Sequence, residues 1–163
     1  MIGSILGDIA GSVYEFHNIK TKEFPFLTPQ KGYTDDSILT LATADWLLHG
    51  GDCATYYFRY ATRYPCPLGG FGGRFREWLR QGQQTGQLRP YGSCGNGSAM
   101  RVGPWMAFRT EEETLKAARI SAACTHNHPE GSRCPGYGTL HLSGPGWEEQ
   151  GGHKKYRRSE VRL

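Results

Sequence analysis

Three clusters in this 163-residue chain carry side chains that could do chemistry. Thr34, Asp35 and Asp36 stand at the start of a run with helical apolar spacing. Thr34 can cap that helix, and acids in its first turn suit the positive end of the helix dipole. The same hydroxyl and carboxylates are hard oxygen donors of the kind Mg²⁺ takes. Adjacent carboxylates at a buried helix start would repel, and a cation would remove that penalty. Spacing alone leaves both readings open. Asp8 and Glu15 form a second group, seven residues apart and so on one helix face two turns distant. Glu15, beside Tyr14 and Phe16, could close a metal site or orient a water, or could be a solvated acid at a helix end.

The third cluster is "YGSCGNGSAM". Gly92, Gly95 and Gly97 free the backbone to present N–H groups, and Ser93 and Asn96 add donors. A nest of this kind before a helix suits phosphate or diphosphate, although an ordinary turn has the same composition. It matches neither GxxxxGK[ST] nor GxGxxG, so no P-loop or Rossmann fold follows. Further on, "ACTHNHPEG" holds His126 and His128. A histidine pair suggests a metal, but no cysteine or further histidine is suitably spaced, and a histidine that stacks on or bonds to a ligand fits better.

The elements that would position these groups read as helices. Ile2, Ile5, Leu6, Ile9 and Val13 recur at helical spacing, with Gly3, Gly7, Ala10 and Gly11 on another side where a helix or ligand could approach closely. Asp35 to His49 predicts a stronger helix with Ile38, Leu41, Ala42, Ala44, Trp46 and Leu48 inward. Gly50-Gly51 ends it, and Asp52 caps the next, which runs to about Tyr64. Phe71–Arg80 predicts a short amphipathic helix, and Ser98–Phe108 another, kinked at Pro104. Met100 and Trp105 read as core. Thr110 with Glu113 forms a capping box for a helix reaching about Cys124. The expected fold is all-α over residues 1–131. From Ser132 to Leu163 neither period 2 nor period 3.6 survives, so an irregular or disordered tail is expected.

Composition bounds the function. Residues 1–131 hold 13 basic and 12 acidic side chains, whereas 132–163 hold 6 and 3, so most of the +4 net charge lies in the tail. No nucleic-acid footprint is expected on the main body. No apolar stretch is long enough to span a bilayer, and no secretory leader pattern opens the chain. Five widely spaced cysteines without a CxxC argue against a zinc knuckle or a disulfide framework, and a reducing cytoplasm is the expected setting.

Taken together, "GSILGDIAGSVYEF", "YTDDSILTLATADWLL", "GSCGNGSAMRVGP" and "ACTHNHPEG" resemble, in order and rough spacing, the ADP-ribosylglycohydrolase family. The resemblance covers residues 1 to about 131. It implies an all-α orthogonal helical bundle, here truncated, and hydrolysis of the N- or O-glycosidic bond between ADP-ribose and a modified protein side chain, with two Mg²⁺ ions. It implies that Thr34, Asp35 and Asp36 bind metal, that Glu15 is catalytic with Asp36 a lesser candidate, and that Asp8 is structural support. It also implies that Gly92, Ser93, Gly95 and Asn96 hold the ADP-ribose phosphates and that His126 lines the ligand cleft. The implied partner is ADP-ribosylated protein or an ADP-ribose derivative.

The departures matter equally. The family's later Asp-x-Asp-Thr element, which completes the metal site, is absent from this sequence. Weak Mg²⁺ binding and little or no hydrolase activity are therefore expected. The alternative is a non-catalytic ADP-ribose-binding or structural remnant, and uncovered apolar helix surface could support self-association. After "THNHPEG" the family continues as a helix resembling Gly-Ala-Gln-Ala-Thr-Ala. Codons for Ser132–Leu140 can be chosen as TCA AGG TGC CCA GGC TAC GGC ACT CTG, and a shift of one base then reads Gln-Gly-Ala-Gln-Ala-Thr-Ala-Leu. A frameshifted tail is the expectation.

Overall fold

The computed structural model describes residues 1–104 and 110–129, together with the backbone of 147–150 and 153–156. The chain forms two compact units, Met1–Arg89 and Pro90–Leu163. The expected irregular tail falls largely outside the described residues, as do Trp105 and Cys134.

In the first unit, α1 (Ile2–Gly11) runs into a 3-10 turn at Ser12–Tyr14. A long irregular segment then leads to α2 (Asp35–His49), followed by α3 (Cys53–Arg63) and α4 (Gly73–Thr85). Two of these starts follow local rules. The Thr34 hydroxyl accepts from the Asp36 amide at 3.2 Å, and the Asp52 carboxylate accepts from the Thr55 amide at 3.0 Å. Each such cap contributes about 1 kcal/mol.

Helices α2 and α3 are joined through a polar pair inside the core. Thr43 donates to the Leu39 carbonyl, so the Tyr57 hydroxyl donates to Thr43 at 3.0 Å, and neither residue is exposed. At the rim, Asp45 pairs with Arg59 and accepts from Tyr60 at 3.2 Å. Helix α4 lies against α3 through an edge-on Phe58–Trp78 contact. Gly82 makes that approach possible: a Cβ there would stand 2.6 Å from Leu88 Cδ2 and 2.8 Å from Phe58 Cε2.

Several expectations require correction. Leu41 and Leu48 point outward, at 39% and 80% exposure, while Leu39, Thr40 and Thr43 are buried in their place. Apolar residues occur on every side of α2, so its sequence does not mark which side packs. Gly3, Gly7 and Gly11 face open space; among the described residues nothing lies within 4 Å of where their Cβ atoms would be. Helix α4 begins at Gly73 rather than Phe71 and continues to Thr85, where Gly86 ends it in the left-handed conformation.

In the second unit, α5 spans Gly97–Met100, and the helix expected over Ser98–Phe108 is interrupted at Arg101 and Val102. Gly103 and Pro104 take 3-10 backbone, so the interruption falls at Arg101–Val102, before the proline. Residues 105–109 lie outside the described residues. Helix α6 (Glu111–Ala123) has both bonds of the Thr110–Glu113 capping box. Within the tail, β1 (Trp147–Gln150) and β2 (His153–Tyr156) pair antiparallel, Trp147 opposite Tyr156 and Gln150 opposite His153. Two glycines, Gly151 and Gly152, separate these strands in sequence, a hairpin signal independent of strand periodicity. The fold is an all-α helical bundle, as its sequence indicates, with this hairpin as the only strand pair among the described residues.

Candidate functional site

The end of α1 is stitched to the segment before α2 by side-chain bonds. The Asp8 carboxylate accepts three hydrogen bonds: from the Thr34 amide at 2.9 Å, the Thr34 hydroxyl at 2.6 Å and the Ser37 hydroxyl at 2.5 Å. Ser12 donates to the Ile9 carbonyl and accepts from the Gly32 amide at 3.2 Å. Lys31 donates to the Ala10 carbonyl at 2.6 Å. These bonds bring Glu15, just past the 3-10 turn, within electrostatic reach of Asp35 and Asp36.

The result is an acidic cluster under strain. The Asp35 carboxyl is pushed up to about 6, first by burial, then by the charges of Asp36 and Glu15 and more weakly Asp8, against a lowering backbone hydrogen bond. Burial also raises Asp36 to about 6, with the charges of Asp8 and Glu15 adding to it. Glu15 itself is exposed and rests against a turn. A Cβ on Gly69 would stand 3.2 Å from Glu15 Oε2 and 3.3 Å from the Phe16 ring, and Gly69 has a φ of +78°. The positive φ favours glycine there, and a Cβ would push the exposed Glu15 and Phe16 side chains aside by a few tenths of an ångström. The adjoining Leu68 amide donates to the Tyr33 carbonyl at 3.0 Å, so this turn also touches the residue before Thr34.

The donor set is all oxygen, and its mutual repulsion is what a small hard cation relieves, so Thr34, Asp35, Asp36 and Glu15 fit Mg²⁺ in kind. Among the described residues, however, no three Asp, Glu, His or Cys side chains converge closely enough to hold an ion. The proton of the Thr34 hydroxyl is already committed to Asp8.

In the second unit the glycine loop lies against the end of α6. The Gly92 amide donates to Asn127 Oδ1 at 2.7 Å, with Gly92 at φ +61°, and the Ser93 amide donates to the Thr125 carbonyl at 3.2 Å. The Gly95 amide points to the Ser93 hydroxyl at 3.3 Å. His126 is buried, its Nδ1 2.8 Å from the Thr125 hydroxyl and its ring 6.3 Å from that of Tyr91. Gly97 leaves room for it: a Cβ there would stand 3.0 Å from His126 Cε1 and 3.1 Å from Nε2. The wholly buried Arg101 donates to the Ser121 carbonyl and the Thr125 hydroxyl, which anchors α5 to α6. Gly92 and Ser93 are thus bonded to the residues on either side of His126, whereas Gly95 is tied to Ser93 alone and Asn96 is exposed at the start of α5, where its side chain does not cap that helix. His128 is exposed.

Some participants escaped sequence reasoning. Ser37 lies inside the Tyr33–Ser37 motif, but its partner lies 29 residues away. Lys31, Arg101 and Asn127 carry no local signal at all. The Gly69-Gly70 pair was the one visible clue, since paired glycines mark a turn with positive φ.

An all-α fold and a carboxylate-lined helix start define a helical protein with an acidic site. A family model described as ADP-ribosylglycohydrolase matches residues 1–141, and the chain belongs to that family. The match runs past the boundary expected near 131. The chain is 31% identical to mouse ADP-ribosylhydrolase ARH3 over 156 residues, an alignment covering 77% of this chain and 42% of that protein. The human ADP-ribosylhydrolase ARH3 is 30% identical, with 77% and 43% covered. The chain spans less than half the length of these curated relatives. No helix among the described residues is long and apolar enough to cross a membrane.

Proposed function

We propose that the chain carries the ADP-ribose-binding and metal-binding half of an ADP-ribosylhydrolase. The observation that carries this reading is the acidic cluster, where Asp35 and Asp36 are both raised to about 6 beside Glu15. Thr34, Asp35 and Asp36 would hold Mg²⁺, which when bound supplies charge stabilisation at the ribose hydroxyls. Glu15, exposed and backed by Gly69, would position or deprotonate a water, with Asp36 the lesser candidate. That water adds to the anomeric carbon of the ribosyl group. The bond from this carbon to the protein side chain breaks, and the side chain leaves with a proton. Gly92, Ser93, Gly95 and Asn96 would bind the diphosphate, and His126 would line the cleft.

One observation favours the second reading, a non-catalytic ADP-ribose-binding or structural remnant. No three ligating side chains converge among the described residues, so the ion would be held weakly. Calorimetric titration with ADP-ribose, with and without Mg²⁺, together with release of ADP-ribose from a modified protein, separates the readings. Mg²⁺-dependent binding with little turnover is the expected outcome. Robust turnover would remove the remnant reading, and no binding of ADP-ribose under either condition would remove the hydrolase reading and leave only a structural remnant.

A further inference from the structure

The segment between Tyr14 and Thr34 has no helix of its own, yet one cation gathers it. Lys31 Nζ donates to the Ala10 carbonyl at 2.6 Å, the Pro25 carbonyl at 2.6 Å and the Phe26 carbonyl at 3.3 Å. It also lies over two aromatic rings, 4.6 Å from the centroid of Tyr14 and 5.2 Å from that of Phe24. Those rings meet edge-on at 5.6 Å. Among the described residues no carboxylate pairs with this ammonium. Its three donors are used on main-chain oxygens, and its charge is balanced by carbonyl dipoles and ring faces.

This arrangement differs from a surface lysine held by a single acid. It connects the last turn of α1, the ring of Tyr14 and the stretch Phe24–Phe26 at one point, and the residue after Tyr14 is Glu15. We propose that Lys31 is the positioning residue for Glu15, fixing Tyr14 and the returning segment so that the Glu15 carboxylate stays at the Asp35–Asp36 cluster. The proposal rests on the role given to Glu15 above. A purely structural lysine would affect overall stability. A positioning lysine affects the same quantity that Glu15 does, and loses its effect when Glu15 is gone.

Two measurements on the full chain test this. Lys31→Met keeps the stem and removes the donors and charge; Lys31→Arg restores both. Amide hydrogen exchange should be about tenfold faster at residues 12–16 in Lys31→Met, near wild type in Lys31→Arg, and unchanged in α2 and α3. In Mg²⁺ titrations, Lys31→Met and Glu15→Gln should each weaken binding about tenfold, and the double variant should bind no more weakly than Glu15→Gln. Unchanged exchange at 12–16, or losses of Mg²⁺ affinity that simply add, would overturn the proposal. If the wild-type chain binds no Mg²⁺, the reading of the acidic site fails, and the exchange comparison alone then decides whether Lys31 holds Glu15. Should Lys31→Met fail to fold, Lys31→Gln serves in the same comparisons.

Discussion

At the scale of single residues, the acidic cluster depends on which carboxylate is satisfied and which is not. Asp8 accepts three hydrogen bonds, and removing it strands the Thr34 and Ser37 donors. Asp8→Ala should therefore cost about 2–4 kcal/mol in urea denaturation. Asp35 and Asp36 behave oppositely, because their folded-state values of about 6 lie above the ordinary carboxylate value near 4. Between about pH 4 and pH 6 the folded chain holds more protons than the unfolded one, so stability falls as pH rises through that window. In metal-free buffer the melting temperature should be higher at pH 5 than at pH 7, and Asp36→Asn should flatten the profile, since it also removes a charge that raises Asp35. A melting temperature that climbs from pH 5 to pH 7 would contradict the assignment. The acids and Thr34 were legible because helix starts select residue types locally. The bonds from Asp8 and Lys31 were not, because their partners are up to 29 residues away and no spacing rule reaches that far.

At the scale of elements, glycines separate two situations that sequence alone merges. Gly82 sits where α3 and α4 touch, and a methyl group there meets Phe58 and Leu88 at under 3 Å. Gly82→Ala should destabilise by about 1–3 kcal/mol, overpacking outweighing the propensity gain. Gly3→Ala and Gly7→Ala face open space and should each stabilise by about 0.5–1 kcal/mol. Thermal denaturation of the three variants reads both signs at once. Helix existence was visible in the periodicity and caps of the first unit. The packing side of α2 was not, because Leu39, Leu41 and Leu48 are equally apolar and only the positions of the neighbouring helices α1 and α3 decide among them. In the second unit, Gly97→Ala should displace the His126 ring and reduce ADP-ribose affinity while leaving α6 folded, a comparison suited to calorimetry with circular dichroism.

At the scale of the molecule, the family match covers residues 1–141 of a chain that spans less than half of its curated relatives. Ile2 and Leu6 of α1 are exposed at 72% and 42%, apolar helix surface of the kind on which the expectation of self-association rests. Sedimentation at rising concentration should show association that Ile2→Glu removes. Sequencing the locus tests the frameshift: a second frame resembling the family should continue beyond residue 131, and its absence would refute the idea. The central claim concerns the acidic helix start, and its most direct test is thermal unfolding with and without Mg²⁺ in wild type and Asp35→Asn/Asp36→Asn. At ten times its dissociation constant, the ion should stabilise the wild type by about 1.4 kcal/mol, a rise of about 3–5 °C, and leave the double variant unmoved. An equal rise in both proteins, or none in the wild type, would contradict the account.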